Sequence, residues 1–280
     1  MKVDCHIHSL YSDGIYTVRE IIEMLLHRNI QIFSLTDHDK VAGTKEARDL
    51  SRGKIGFISG IEITGREMEI HKIKKTFSVH LLGYHFDENN IALTEVLKNR
   101  EEQVIKIYDD LCGELTASGY PVLREEVPIS CGNELQLCDI AAYVREKNVN
   151  VSKHIFDTID GYASKLDSVN ISVEDAVNYI HAAGGKAVWA HPFYVYKDYT
   201  KKSINEEELL TTLEILKDLG IDGIEAYYSA FDDHRRKWLY SLACSTNMVY
   251  TAGSDFHGFT GRDFMGIEID LNPAFLSQFL

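Results

Sequence analysis

The chain has 280 residues, 45% of them hydrophobic, and carries 29 Lys and Arg against 43 Asp and Glu, a formal net charge of −14. That length suits one α/β barrel or one domain with an insert. The acidic balance argues against a surface that wraps long nucleic acid, which needs a basic face, and no apolar run approaches the roughly 18 residues of a membrane span.

Seven short segments rich in β-branched and aromatic residues read as strands: residues 2–8, 31–36, 54–63, 76–84, 186–190, 221–227 and 248–252. The first of them begins at the amino end without the apolar stretch of a signal peptide. Thr17-Val18-Arg19-Glu20 then has capping-box spacing ahead of Ile21, Ile22, Leu25 and Leu26 and predicts a helix. From about residue 89 to 166 the pattern is helical. Ile91, Val96, Val104, Ile107, Leu111 and Leu115 recur near helical spacing before Gly119, and a second helix is expected over residues 138–147. Ser172-Val173-Glu174-Asp175 opens another helix, closed by Gly184-Gly185, and Leu209 to Leu219 line one that ends at Gly220. Strands alternating with helices imply βαβ units and parallel pairing. The expected domains are therefore a barrel of residues 1–88 and 167–280 and a helical insert of residues 89–166. Five cysteines with no C-x-x-C pair read as reduced thiols, and with neither a membrane span nor a signal peptide's apolar stretch the protein is expected in the cytoplasm.

The chemistry-bearing residues cluster on this map. His6 and His8 end the first segment on one face, because strand side chains alternate. Asp13 follows in a loop, His38 follows the second segment and Glu62 lies late in the third. His80 is in the fourth segment, His191 follows the fifth, and Asp255 and His257 follow the last. These nine residues fall at or near the C-terminal ends of six segments, the face that carries the active site in parallel α/β folds. Six imidazoles with three carboxylates suit Mn, Zn or Fe better than Mg or Ca. The set exceeds what one ion needs, so two to three divalent ions are expected, able to activate a bridging hydroxide and polarise a phosphoryl oxygen. Alone, His80 or His191 reads as a structural histidine, and Ser254-Asp255 as a turn cap. The ordered set carries the specificity. Asp37 and Asp39 are expected outside the ligand set, as are His27, His71, His85, His154, His181 and His234, with His85 and His234 nearest to the site.

Asp4-x-His6-x-His8-Ser9, Ser12-Asp13-Gly14, Thr36-Asp37-His38-Asp39, Gly60-Ile61-Glu62, Ala190-His191-Pro192 and Gly253-Ser254-Asp255-Phe256-His257-Gly258 resemble, in order, the motifs of the PHP (polymerase and histidinol phosphatase) family. The likeness is greatest to its small stand-alone phosphoesterases, which act on nucleotides or short RNA ends. It implies a distorted seven-stranded (β/α) barrel of PHP type with a helical insert. It also implies that His6, His8, Glu62 and Asp255 serve one ion and Asp13, His38 and His257 a second, with Glu62 bridging to a third completed by His80 and His191. The insert departs from the family pattern. Leu137-Cys138-Asp139-Ile140-Ala141 stands where a basic segment is usual, and Gln103 stands where a partner arginine to Arg100 is usual. Such a loss removes strong phosphate contacts.

The expected activity is hydrolysis of a small or terminal phosphate monoester, nucleotide-like or a sugar phosphate. A metal-bridging hydroxide would attack, with Glu62, Asp255, His191 and His257 as catalytic residues. Arg100, Arg262 and Lys153 are the expected supplementary substrate contacts, and the insert is expected to set substrate choice. Alternatives are a phosphodiesterase or exonuclease acting on short oligonucleotide ends, a non-catalytic metal-binding regulatory module, and an amide-hydrolysing metalloenzyme. A long nucleic acid or a membrane is not an expected partner.

Overall fold

The computed structural model describes residues 1–130, 132–259 and 265–269. The elements run β1 (Lys2–Asp4), α1 (Val18–His27), β2 (Ile32–Leu35), α2 (Ala42–Ser51), β3 (Gly56–Thr64), β4 (Met68–Ile70), β5 (Lys75–Phe77) and β6 (His80–Tyr84). Three helices follow, α3 (Ile91–Ala117), α4 (Leu137–Lys147) and α5 (Lys153–Val169). The chain continues with α6 (Val173–Ala182), β7 (Lys186–Trp189), β8 (Tyr194–Lys197), β9 (Thr200–Ser203), α7 (Glu206–Asp218), β10 (Gly223–Tyr228), α8 (Asp233–Ser245), β11 (Val249–Gly253) and β12 (Ile267–Glu268). Helix starts follow local chemistry. Thr17 and Glu20 close a capping box on α1, and the Ser172 hydroxyl accepts from the Asp175 N–H on α6.

The main sheet has the order β11-β10-β7-β6-β3-β2-β1-β12. It closes into a barrel beyond β1, where the Cys5 N–H donates to the Ala252 carbonyl at 2.9 Å and Ile7 bridges Phe256 in parallel. Each of the seven segments read as strands holds one of these strands. The eighth, β12, is a two-residue strand antiparallel to β1 that the sequence did not signal. The segment at residues 76–84 divides into β5, which pairs with β4 as a hairpin, and β6. A second unforeseen hairpin joins β8 and β9.

One expectation needs correction. Pairing is not parallel throughout, because β6 runs antiparallel to both β3 and β7. The connection from β3 to β6 contains the β4–β5 hairpin and no helical crossover, so the chain turns back at the mouth instead of returning to the far end. His80 therefore lies at the N-terminal end of its strand, yet at the same barrel end as the C-terminal residues of its neighbours. His85, expected near the site, follows the end of β6 and is exposed at the opposite barrel end. His234 is exposed on α8.

Inward positions alternate along the strands. Ile32, Ile58, Leu82, Tyr84, Val188 and Ala252 fill the barrel below the mouth. Glu62, two residues or a multiple of two from Ile58, and His80, likewise from Leu82, continue those faces upward. The 27-residue α3, about 40 Å long at 1.5 Å per residue, works in two parts. Leu93 and Leu97 pack on the barrel, whereas Tyr108, Leu111 and Leu115 join α4 and α5 in a separate apolar cluster with Ile140, Val144, Ile159 and Leu166. The loop before α4 returns to the barrel mouth, where the Asn133 N–H donates to the Ser12 carbonyl. No helix among the described residues is long and apolar enough to cross a membrane.

Candidate metal centre

All nine side chains singled out from the sequence meet at the barrel mouth. Glu62 is central and fully buried. Its Oε2 lies 3.0 Å from His6 Nε2, 3.1 Å from His8 Nε2 and 3.4 Å from His38 Nε2. Its Oε1 lies 2.9 Å from His80 Nδ1 and 3.2 Å from His191 Nε2. Asp255 Oδ1 is 3.4 Å from His6 Nε2 and 3.3 Å from His8 Nε2. Asp13 Oδ2 is 3.2 Å from His257 Nε2 and 3.9 Å from His38 Nε2. The ligand atoms form three overlapping groups, each within 4.8 Å: His6, His8, Glu62 and Asp255; His8, Asp13, His38 and His257; and His38, Glu62 and His80.

Hydrogen bonds on the far side of the rings decide what the near side offers. His6 Nδ1 lies 3.0 Å from Glu225 Oε1, His38 Nδ1 lies 3.4 Å from Thr64 Oγ1, and His257 Nδ1 lies 2.8 Å from the Asp255 carbonyl. A carboxylate or carbonyl there accepts the Nδ1 proton, so the neutral rings of His6 and His257 turn a bare Nε2 inward. That lone pair faces the carboxylates of Glu62 and Asp255, or of Asp13. Lone pairs facing carboxylates repel unless a cation lies between them, and an imidazole fixed by an outer carboxylate is the usual arrangement of a metal ligand. Three buried ring nitrogens, His8 Nδ1, His8 Nε2 and His191 Nδ1, lack a well-aligned hydrogen-bond partner. The donor set and its burial fit transition-metal ions.

Without ions the cluster holds protons instead. Burial pulls the His8 imidazole down, but the facing Asp255 and Glu62 carboxylates outweigh it and raise the group to about 10. His6 and His257 are also raised against desolvation, His6 chiefly by the Glu62 and Glu225 charges and His257 by Asp255 and Asp13. His38 is lowered, by burial first. Glu62 and Asp255 are desolvated, yet the surrounding imidazoles hold both well below the carboxylate range.

The loops carrying the ligands are tied from beneath. Asp37 accepts from the Ser9 N–H at 2.7 Å and from the Ser12 hydroxyl at 2.7 Å, which anchors the turn bearing Asp13. Asp4, its carboxyl pushed up to about 6 by burial, accepts from the Ser254 N–H and hydroxyl beside Asp255. Asp39 accepts from the Thr64 N–H and pairs with Arg100 at 3.1 Å. Asp255 and His191 both hold positive φ, 57° and 31°, backbone conformations uncommon for non-glycine residues.

Several site residues escaped the sequence reading. Glu225 is fully buried and also accepts from the His191 N–H at 2.7 Å. Its signal was present, since Gly223-Ile224-Glu225 repeats Gly60-Ile61-Glu62, although at the start of its strand rather than near the end. The Tyr228 hydroxyl donates to Asp255 Oδ2 at 2.9 Å, and Tyr196 stacks on His80 at 4.2 Å between ring centroids. Lys201 Nζ lies 3.4 Å from the Tyr228 hydroxyl. Of the expected substrate contacts, Arg100 is held by Asp39 and Asn170, Lys153 is exposed at the start of α5, and Arg262 lies outside the described residues. Gln103 is exposed and donates back to the Asn99 carbonyl of its own helix.

Comparison with known proteins shows the family. The PHP domain model matches residues 4–121. The chain is 30% identical to a 3',5'-nucleoside bisphosphate phosphatase of Chromobacterium violaceum, over 97% of this chain and 93% of that protein. The chain belongs to the PHP domain family. It is thus a phosphoesterase, a hydrolase. This PHP protein is also 26% identical to a 5'-3' exoribonuclease of Haemophilus influenzae, over 96% of this chain and 95% of that one. Among solved structures, an amidohydrolase from C. violaceum with bound sulfate and no metal superposes with a TM-score of 0.72 at 23% identity. That match covers 99% of the PHP chain and 95% of the other, a likeness of fold.

Proposed function

We propose that the protein is a phosphomonoesterase acting on small or terminal phosphates, with two to three Mn, Zn or Fe ions held by His6, His8, Asp13, His38, Glu62, His80, His191, Asp255 and His257. The observation that carries this reading is that the Nε2 atoms of His6 and His257 face buried carboxylates while outer acceptors engage their Nδ1 atoms. When bound, such ions supply Lewis-acid charge that polarises a phosphoryl oxygen and lowers the pKa of water. Glu62, touched by five imidazoles through its two oxygens, is the residue that would hold more than one ion. Asp255 serves with it, and Tyr228 orients Asp255. His191, beside Glu62, and His257, beside Asp13, would help hold the ions and could assist proton transfer. The helical insert of residues 89–166 sets substrate choice, because its loop at Asn133 rests on the turn that bears Asp13.

The C. violaceum relative, named for a nucleoside bisphosphate, supports a nucleotide-like monoester. The net charge of −14 opposes docking of a long polyanion. Cys5, Cys112 and Cys244 are free thiols, which suits a cytoplasmic setting. The Haemophilus relative favours a second reading, removal of single nucleotides from short RNA ends. Incubation with Mn, mononucleotides, sugar phosphates and short oligomers separates the two. Free phosphate from the small esters supports the monoesterase, mononucleotide without free phosphate supports the exonuclease, and interior cleavage of a long strand contradicts both.

A further inference from the structure

Positive charge is sparse around the barrel mouth, and most of it is neutralised. Arg100 lies 3.1 Å from Asp39 and bonds Asn170. Lys40 lies 2.9 Å from Glu134 and 3.6 Å from Glu101. Lys197 is paired with Glu67. Lys201 differs, having no carboxylate within ion-pair distance among the described residues. Its Nζ lies 3.4 Å from the Tyr228 hydroxyl and 4.1 Å from the centroid of the Tyr194 ring.

The placement is built, because the hairpin that carries Lys201 is docked on the site. The Ser78 N–H donates to the Tyr196 carbonyl at 2.7 Å, and the Tyr196 ring stacks on His80. Lys201 is paired with Tyr196 across the hairpin and shares its face, whereas Lys202, paired with Val195, takes the other face. Tyr228 already donates its proton to Asp255, so its oxygen accepts from Lys201. An ammonium has three donors, and the remainder are free for an anion beside the Asp255 carboxylate.

We propose that Lys201 is a specificity-determining residue that docks the phosphate of a small phosphoester at this mouth, in the place left open because Arg100 is held by Asp39. The inference rests on the phosphoesterase reading and names the contact that reading lacks. Lys201 faces the cluster from a hairpin that the sequence did not signal, and the Tyr194 and Tyr228 rings hold its ammonium by cation–π attraction.

The test uses the full chain loaded with Mn and inorganic phosphate as the probe. Phosphate affinity is measured by calorimetry, alongside KM and kcat for a small aryl phosphate, metal content and Tm. Lys201→Gln is expected to weaken phosphate binding and raise KM about tenfold, the lower end for a charge-assisted hydrogen bond, with kcat, metal content and Tm little changed. Lys201→Arg should restore binding to within about threefold, and Lys202→Gln should match the wild type. Equal phosphate affinity in Lys201→Gln and wild type would overturn the proposal. An equal loss in Lys202→Gln would do so too, since it would show a bulk charge effect, as would the absence of phosphate binding by the wild type. If the wild type binds phosphate but cleaves no phosphoester, the phosphoesterase reading fails while the binding comparison still decides the role of Lys201.

Discussion

Glu225 Oε1 lies 3.0 Å from His6 Nδ1, and the other oxygen of the same carboxylate accepts from the His191 N–H at 2.7 Å. One buried side chain from β10 thereby fixes the ring of a residue just after β1 and the backbone of a residue after β7. Glu225→Gln should preserve the fold and weaken metal binding about 10- to 100-fold, the usual cost of losing an outer carboxylate. Competition with a metal-responsive chelator measures it, and an unchanged metal affinity would remove Glu225 from a positioning role.

Glu62→Gln should lose turnover by several orders of magnitude and at least one ion per chain, because an amide bridges ions poorly. Asp255→Asn should lose less, since it meets three imidazoles where Glu62 meets five. Elemental analysis paired with kcat reports both. Near-normal kcat with full metal in Glu62→Gln would break the assignment.

Metal loading should release protons near neutral pH. His6, His8 and His257 are raised in the metal-free site, so ions must displace protons and apparent affinity should climb with pH toward 10. Stability without metal should move the other way. A raised imidazole stabilises the fold below its unfolded value of about 6.5, and that contribution is lost as pH rises through the folded value, about 10 for His8. Titration calorimetry in buffers of different ionisation enthalpy counts the protons, and Tm against pH gives the opposing slopes. A proton count of zero would contradict the account.

Gly253→Ala should cost roughly 2 to 4 kcal/mol and lower metal occupancy. A Cβ at that position would stand 2.2 Å from His6 Cβ and 2.7 Å from Glu225 Oε1, with no flexible end able to yield. Chemical denaturation of metal-free protein isolates the packing cost from metal binding. A stability equal to wild type would show that β1 and β11 can part without strain.

By itself, the sequence determined the local parts. Runs rich in β-branched and aromatic residues marked the seven principal strands, Thr17 and Ser172 marked helix starts, and the order of histidines and carboxylates marked the cluster at the mouth, because strand preference and capping act over a few residues. The PHP motifs Asp4-x-His6-x-His8 and Ser254-Asp255-Phe256-His257 were equally legible. Only the tertiary structure decided the rest. It turned β6 antiparallel and so brought His80 to the mouth from the start of a strand, since pairing direction depends on the length and course of a connection. It set Glu225 behind His6, tied Arg100 to Asp39 and folded the β8–β9 hairpin so that Lys201 lies beside Tyr228. Those contacts join residues far apart in the chain, and the free energy that fixes them comes from shared burial and charge at the barrel mouth, which no short window of sequence contains.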